Sequence, residues 1–404
     1  MKIKNNTKVL VSALGLLFSS SISFSADTEF TQFKNQQAQG VQSVKDEFAQ
    51  YKKELEDGFA AYKKAYKAAY EADKKAVKNI WGDYRPGDKK SWVQYDESGV
   101  RKSVNFESGE VELEIIVDEK YADKKAEDAL KRKILALLTT TRLEAFKGDS
   151  VSQSVEKKIA NLPHVKTAKV SNTPVMSAMI PEVRLKDTTK IRKISQTFTD
   201  QSKTDVRTAK KPGKKVVRVK FKIPTNAPEK SKQFIAKAKK IADKEELPLT
   251  LVMAIMETES AFNPMAKSGV PAYGLMQIVP RSAGQDATKY LFGKAKILSP
   301  SYLYDSDKNI EIGGAYLHIL YFNYLNKIED PVSRLYCAIA AYNTGAGNVA
   351  KAFTGKKNIN KASVIINKLT PKQVYQKLRK QLPYAETQHY VKKVANKLEK
   401  YQHI

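Results

Sequence analysis

The sequence predicts an α+β protein in which a long N-terminal helix with an α+β domain precedes a mainly α-helical domain. Three patterns support this fold class: an apolar repeat of helical period in the first 80 residues, alternating apolar and polar residues from about 91 to 118, and helical periodicity from Pro248 almost to the end. The 404 residues are enough for two or three domains. We place the boundaries of these segments at 1–25, 26–225 and 226–404.

The first 25 residues have the three-part layout of a secretory signal peptide. The basic stretch MKIKNNTK precedes the short apolar run VLVSALGLLF, and small polar residues follow. The apolar run is too short to span a bilayer as a helix, and a retained amphipathic anchor is the alternative. Cleavage after Ser25 or Ala26 predicts an exported, periplasmic protein.

The chain is strongly basic, with 71 Lys and Arg residues against 43 Asp and Glu residues and a formal net charge of +28. This excess predicts an anionic partner, which for an exported protein is an acidic envelope polymer or lipid surface rather than nucleic acid. Cys337 is the single cysteine, which excludes an internal disulfide and a cysteine-based metal site. The four histidines lack ligand spacing. We therefore predict no metal and no cofactor.

Residues 27–80 are predicted to form one helix, because apolar positions recur every eleven residues at 44, 55, 66 and 77. We expect this stripe to pack on the rest of the protein, with a membrane or a partner as the alternative. The segments WVQYD, VRKSVNF and VELEIIVD then predict a meander of strands.

The rest of the middle region is predicted to mix helices and strands. Helical patterns occupy 124–146 and 151–160, whereas KIRKISQTF and KVVRVKFKIP predict strands. The run DQSKTDVRTAKKPGKK between these strands predicts a loop or a hairpin tip. A basic helix is predicted from Asn226 to Lys244. The middle region contains no recognisable set of catalytic residues, and we expect its role to be positioning or binding rather than catalysis.

One carboxylate, Glu259, lies on the apolar side of the helix LTLVMAIMETESAF. Val252, Ile255 and Met256 share its face, whereas Glu257 points about 200° away around the helix. Burial and a helix C-terminus both raise the pKa of a carboxyl group. A raised pKa suits a general acid near neutral pH, although a Glu near a helix end is ordinarily a surface residue.

Four short motifs follow one another from Glu259 onward. After ES, the motif FNP ends the helix at Asn263 and Pro264. A loop of small residues then carries Ser268, and the motif GLMQ supplies Gln277. The motif AYNTG and then PYAET with YV come later in the chain. Together these motifs resemble the lytic transglycosylase domain of the goose-lysozyme-like superfamily. The region from about 30 to 225 is more loosely similar to the N-terminal part of membrane-bound members of that family.

The resemblance implies a lysozyme-like domain that acts on peptidoglycan glycan strands. Members cleave the β-1,4 bond between N-acetylmuramic acid and N-acetylglucosamine without consuming water, leaving 1,6-anhydro ends. By motif match Glu259 is the catalytic acid, and the expected substrate-binding residues are Ser268, Gln277, Tyr342, Asn343, Tyr384 and Tyr390. A single carboxylate suits this reaction, whereas a conventional glycosidase needs two.

Several of these residues have simpler structural roles as alternatives. Asn343 and Gly345 suit a helix C-cap, Tyr384 suits core packing as well as a cleft wall, and Glu386 suits a backbone contact. Membrane-bound members carry a lipidated cysteine that this chain lacks, so we expect a soluble protein or one held peripherally on anionic envelope lipid. A hydrolytic muramidase and a non-catalytic wall-binding protein are the alternative functions.

Overall fold

The computed structural model describes residues 26–96, 99–184 and 187–403. The predicted signal peptide lies outside these ranges. None of the helices in the described ranges has the length and apolar character needed to cross a membrane. The described residues up to Lys53 form one compact unit, and the residues from Glu54 onward form a second.

Helix α1 (Ala26–Trp81) confirms the helix predicted from the eleven-residue repeat. From Leu55 onward its apolar stripe is buried, which confirms the packing prediction for this part of the helix. The stripe continues through Phe59, Tyr62, Tyr66 and Val77, all less than 9% exposed. Toward the N-terminus the large apolar side chains are exposed instead: Phe30, Phe33, Val41, Val44 and Phe48.

The α+β region contains five α-helices and most of the strands of the described chain. The helices are α2 (Lys124–Thr139), α3 (Arg142–Lys147), α4 (Ser150–Ile159), α5 (Pro181–Arg184) and α6 (Thr188–Gln201). The strands are β1 (Ser91–Tyr95), β2 (Val100–Asn105), β3 (Glu110–Asp118), β4 (Val165–Lys166), β5 (Lys203–Thr208) and β6 (Lys214–Lys222), with β7 (Ile297–Leu298) later in the chain.

Five strands form one antiparallel sheet in the order β1-β2-β3-β6-β5. The meander predicted from alternating residues is β1 to β3, and β6 extends it by pairing Glu110 with Lys222 through Asp118 with Lys214. The short strands β4 and β7 pair in parallel with each other. The charged segment predicted as one helix is divided into α2 and α3, because Thr141 begins α3 with a capping box to Glu144.

One sequence prediction in this region is wrong, and a second holds for only part of its segment. The segment KIRKISQTF is helical within α6, where Ile191, Ser195 and Phe198 are buried at helical spacing and Asp187 caps the first turn. Its β-branched residues suggested a strand, but packing of one helical face outweighs that weak propensity. The run predicted as a loop or a hairpin tip contains both: residues 209–213 form the tip of a hairpin, and β5 before them pairs with β6.

The last part of the chain is almost entirely helical, as predicted. Its helices are α7 (Ala227–Lys244), α8 (Leu249–Ser260), α9 (Gln285–Phe292), α10 (Pro300–Tyr304), α11 (Ser306–His318), α12 (Pro331–Thr344), α13 (Ala346–Thr354), α14 (Ile359–Ile366), α15 (Pro371–Gln381) and α16 (Ala385–Lys400). Helix α8 is buried on all sides from Leu251 to Ser260 and packs against α7 and α16. The helix with the candidate acid is therefore the centre of this core.

Candidate functional site

Helix α8 ends with two carboxylates that have different surroundings. Glu257 accepts hydrogen bonds from Tyr401 Oη at 2.6 Å and from Lys400 Nζ at 3.0 Å, and Lys397 Nζ lies 3.3 Å away. Burial alone would raise the pKa of the Glu257 carboxyl, but the Tyr401 hydroxyl and the two lysines lower it below its ordinary value. Glu257 is therefore an anchor between α8 and the end of the chain.

Glu259 is 4% exposed and forms part of the wall of a cleft. Burial raises the pKa of its carboxyl above the ordinary value, and this effect outweighs the opposing influence of Lys89, Tyr390 and Lys90. The direction agrees with the sequence prediction. A raised pKa keeps a larger fraction of the carboxyl protonated near neutral pH, which is the state that a general acid requires.

After α8 the chain turns through two residues in the left-handed region, Ala261 (φ 51°) and Phe262 (φ 67°). The hydroxyl of Ser260 donates to the carbonyl oxygen of Leu275 at 2.8 Å, which holds the returning GLMQ segment against the end of the helix. The helix therefore ends at Ser260, three residues before the stop that the FNP motif predicted at Asn263. Its last turn and the GLMQ segment together form the floor beside Glu259.

The GLMQ segment depends on a close approach that only glycine permits. A Cβ atom on Gly274, whose φ is +73°, would lie 2.4 Å from Asn309 Nδ2. Asn309 is fully buried; it donates to the carbonyl oxygen of Tyr273 and accepts from the backbone N–H of Met276, both at 2.8 Å. Sequence reasoning missed Asn309, because it follows Asp307 and Lys308 in the polar first turn of α11, where an Asn is ordinarily exposed.

Gln277, the last residue of GLMQ, has a strained backbone at φ 50°. Its Nε2 group donates to the Gly274 carbonyl oxygen at 3.1 Å. The buried Oε1 atom accepts no hydrogen bond from any residue that the structure describes. A strained residue with an unsatisfied polar atom in a cleft wall is suited to bind a ligand.

The structure brings the sequence-predicted site residues to one place. The cleft has a volume of about 640 Å³, which is within the usual range for small-molecule sites. Its lining includes Glu259 and five of the six expected binding residues: Ser268, Gln277, Tyr342, Asn343 and Tyr384. The sixth, Tyr390, is buried, and the interaction of its hydroxyl with the Glu259 carboxyl lowers the pKa of that carboxyl.

Several cleft side chains are held by hydrogen bonds to neighbouring elements. Tyr342 Oη donates to the carbonyl oxygen of Met276 at 2.8 Å, and Thr387 Oγ1 donates to Asn343 Oδ1 at 2.7 Å. Gly345, with φ 83°, is the C-cap of α12. Asn343, two residues earlier, lines the cleft. Tyr384 is exposed, which fits a cleft wall better than core packing.

The N-terminal region holds the loop that carries Ser268. Tyr66 Oη on α1 donates to the carbonyl oxygen of Ser268 at 3.1 Å, and Lys267 Nζ lies 2.8 Å from Asp149 at the start of α4. A second cavity of about 330 Å³ opens between these elements, and Ser268 lines both cavities. These contacts join α1 and the start of α4 to the loop that carries Ser268.

Two charged residues outside the predicted set also line the cleft, Lys89 and Glu386. Lys89 Nζ lies 3.5 Å from Glu259 Oε2 and 3.8 Å from Glu386 Oε1. The expected backbone contact of Glu386 is replaced by this exposed ion pair. Lys89 was missed because it is 170 residues from Glu259 in the chain and lies in a loop with no local motif. Within the described ranges, no group of three or more His, Cys, Asp or Glu side chains is placed to hold a metal ion.

Comparisons with known proteins found one matching family model and several similar sequences. Residues 236–365 match the family model described as "Transglycosylase SLT domain". Over 179 residues the chain is 41% identical to the membrane-bound lytic murein transglycosylase C of Serratia proteamaculans, covering 44% of this chain and 49% of that protein. Over 174 residues it is 42% identical to the protein of the same name from Sodalis glossinidius, covering 43% and 48%.

The chain spans about half the length of the curated relatives it matches. Among solved structures, the 70 kDa soluble lytic transglycosylase Slt70 from Escherichia coli matches 69% of this chain and 43% of its own, at 19% identity and a TM-score of 0.34. Glu259, Ser268, Gln277, Tyr342 and Asn343 fall within the matched domain. The chain thus carries a transglycosylase SLT domain and is homologous, over part of its length, to membrane-bound lytic murein transglycosylase C.

Proposed function

We propose that this protein is a lytic transglycosylase that cleaves the β-1,4 bond between N-acetylmuramic acid and N-acetylglucosamine in peptidoglycan and leaves 1,6-anhydro-N-acetylmuramic acid ends. The domain match and the homology to murein transglycosylases support the substrate class and the type of reaction. The observation that carries the proposal is Glu259, a buried carboxyl with a raised pKa that opens on a cleft.

In the proposed mechanism Glu259 acts first as an acid and then as a base. Its proton passes to the glycosidic oxygen while the bond between that oxygen and C1 of the muramic acid breaks. The resulting carboxylate then takes the proton from the 6-hydroxyl of the same sugar, and the 6-oxygen forms a bond to C1. Glu259 is protonated again at the end, and no water is consumed.

The other cleft residues would hold the sugars against Glu259. The free Oε1 atom of Gln277 suits a donor on the sugar, and Asn343 and Ser268 supply further polar groups at the lining. Tyr342 and Tyr384 add aromatic surface. The Tyr390 hydroxyl is placed to steady the carboxylate that forms after proton donation, because it already favours the charged form of Glu259.

One observation favours a second candidate, a hydrolytic muramidase. Hydrolases of this kind use two carboxylates, about 6.5–9.5 Å apart in inverting enzymes. Glu386 provides a second carboxylate, because it and Glu259 both lie within 4 Å of the same Lys89 Nζ atom. In a muramidase, Glu386 would activate water as the base.

The products of digestion separate these functions. Purified peptidoglycan is incubated with the protein and with its Glu386→Gln variant, and the soluble fragments are analysed by mass spectrometry. We expect anhydro ends, lighter than the hydrolytic product by one water, from both proteins. Reducing muramic ends whose formation requires Glu386 would establish a muramidase. Binding to cell walls without any soluble fragments would establish a non-catalytic wall-binding protein.

We also propose that the protein acts in the periplasm, with residues 26–225 as the domain that positions the cleft and 226–404 as the catalytic domain. The relatives are named as membrane-bound enzymes, and a net charge of +28 suits an acidic wall polymer or anionic envelope lipid. Such attraction between exposed charges weakens at high ionic strength. Sedimentation with purified walls at low and high salt would test it, and salt-independent binding would contradict it.

A further inference from the structure

The loop between α1 and β1, residues 82–90, brings a lysine from the N-terminal region against the candidate acid. Lys89 Nζ lies 3.5 Å from Glu259 Oε2 and 3.8 Å from Glu386 Oε1. The lysine side chain is 36% exposed and lines the cleft. One ammonium group therefore bridges two carboxylates at the place where a glycan would bind.

The neighbouring residues of the loop fix the position of Lys89. Asp88 Oδ1 accepts hydrogen bonds from the backbone N–H groups of Lys90 and Ser91, each at 2.7 Å. Lys90 Nζ donates to the carbonyl oxygen of Glu257 at 2.8 Å, which ties the loop to the last turn of α8. Burial lowers the pKa of Lys90 to about 8. Lys90 is thus an anchor, and Lys89 is the side chain that the loop presents to the cleft.

Among the described residues, the titratable and charged groups that face Glu259 come from three elements. The loop supplies Lys89 and Lys90, α12 supplies Tyr342, and α16 supplies Tyr390. Glu386, also on α16, interacts with Glu259 indirectly through its ion pair with Lys89. Burial raises the pKa values of Tyr342 and Tyr390 well above their ordinary value, so both phenols are uncharged near neutral pH. Lys89 has a larger influence on the pKa of Glu259 than Lys90 has. Among the charged groups around Glu259, Lys89 therefore has the largest influence on its pKa in the empty cleft, where it opposes the effect of burial.

The contact with Lys89 conflicts with the acid step of the proposed reaction. An ammonium group has donors and no acceptor, so it stabilises the carboxylate of Glu259 and cannot accept a hydrogen bond from the carboxylic acid. A general acid must also come within about 3 Å of the oxygen that it protonates. Lys89 and a glycosidic oxygen therefore compete for the cleft side of Glu259.

We propose that Lys89 is a positioning residue that acts through Glu259: it holds the carboxylate in the empty cleft, and an entering glycan strand displaces it. This inference rests on the proposed function. Once Lys89 has moved away, the Glu259 carboxylate takes one proton from solvent and becomes the acid for the glycosidic oxygen. Glu386, whose side chain is 78% exposed, stays available as the partner of the displaced ammonium group.

The test is the pH dependence of the reaction on soluble, uncrosslinked peptidoglycan strands. The alkaline limb of kcat/KM reports Glu259 in the free enzyme, and that of kcat reports it in the substrate complex. For the wild-type protein we expect the kcat/KM limb at lower pH than the kcat limb. Lys89→Met should move the kcat/KM limb up by about one pH unit, as expected for the loss of a close opposite charge, and leave the kcat limb in place.

Matched variants separate this role from a structural one. Lys89→Arg retains the charge and should keep the wild-type profile, as should Lys222→Met, which changes an exposed lysine on β6 outside the cleft lining. Circular dichroism checks that Lys89→Met is folded. If Lys89→Met does not fold, the neutral polar variant Lys89→Gln replaces it and should give the same shift of the kcat/KM limb.

Two results would overturn the inference while leaving the proposed function intact. In the first, the wild-type protein and a neutral variant are both active, and the alkaline limb of kcat/KM lies at the same pH in both. The other is a neutral variant that loses kcat at every pH without moving either limb, because Lys89 would then support the loop or bind the glycan directly. A wild-type protein that releases no fragments would instead refute the proposed function, and the role of Lys89 with it.

Discussion

Glu257 and Glu259 lie two residues apart on α8 but face two regions that shift the pKa values of their carboxyls in opposite directions. The region around Glu257 supplies the Tyr401 hydroxyl and two lysines, Lys397 and Lys400, and the pKa of this carboxyl is lowered. The region around Glu259 is a cleft with one lysine at 3.5 Å, and there burial prevails and the pKa is raised. The same helix thus carries one carboxylate that anchors the fold and one that we propose as the catalytic acid.

The number of donors, rather than burial alone, decides which way the pKa of a buried carboxyl moves. Glu114 in the sheet is fully buried, yet Arg101, Arg85 and Arg207 lie within 3.1 Å of its oxygens. Burial opposes the charged form, but these guanidinium groups outweigh it and lower the pKa of Glu114. Glu259 is the exception among the three, because its nearest cation is a single, partly exposed lysine.

The largest expected effect of breaking this asymmetry is on catalysis. Glu259→Gln removes the transferable proton, so the initial rate of fragment release from peptidoglycan should fall by about 10³-fold, within the usual contribution of a general acid. Glu257→Gln makes the same replacement of a carboxyl by an amide on the same helix. This variant should retain most of the activity at a temperature where it is folded. Equal losses in the two variants would contradict the assignment of separate roles.

A smaller effect, of opposite sign in the two variants, is expected on stability. Glu257→Gln weakens charge-assisted hydrogen bonds and should lower the free energy of unfolding at pH 7 by about 2 kcal/mol. Because the pKa of Glu257 is lowered in the folded protein, its stabilisation is present above the unfolded-state pKa of about 4.3 and is lost as the pH falls through the folded-state value. The deficit of this variant should therefore shrink in acid.

Glu259→Gln should instead raise the free energy of unfolding at pH 7. The pKa of Glu259 is raised in the folded protein, so its contribution is most favourable below the unfolded-state pKa and is lost as the pH rises through the folded-state value. A neutral glutamine removes that cost. Urea unfolding of both variants at pH 7 and pH 4 measures these differences, and a destabilised Glu259→Gln at pH 7 would show that the buried carboxylate is well paired.

The sequence predicted the components of the cleft better than their surroundings. Glu259, Gln277 and Asn343 lie in short motifs, so each could be placed without a fold, and the FNP motif placed the end of α8 to within three residues. The strand predicted at KIRKISQTF proved to be part of α6, because which face is buried depends on tertiary packing. Lys89 could not be predicted, since its contact with Glu259 arises only when the loop before β1 meets α8.

The opposite pKa shifts of Glu257 and Glu259 can be measured directly. Selective labelling of the glutamate side-chain carboxyl carbons with ¹³C, with assignment by the two glutamine variants, gives both titrations in the wild-type protein by NMR. The account predicts a pKa below the ordinary value near 4.3 for Glu257 and above it for Glu259. A Glu259 carboxyl that titrates at or below the ordinary value would contradict its role as the acid of the cleft.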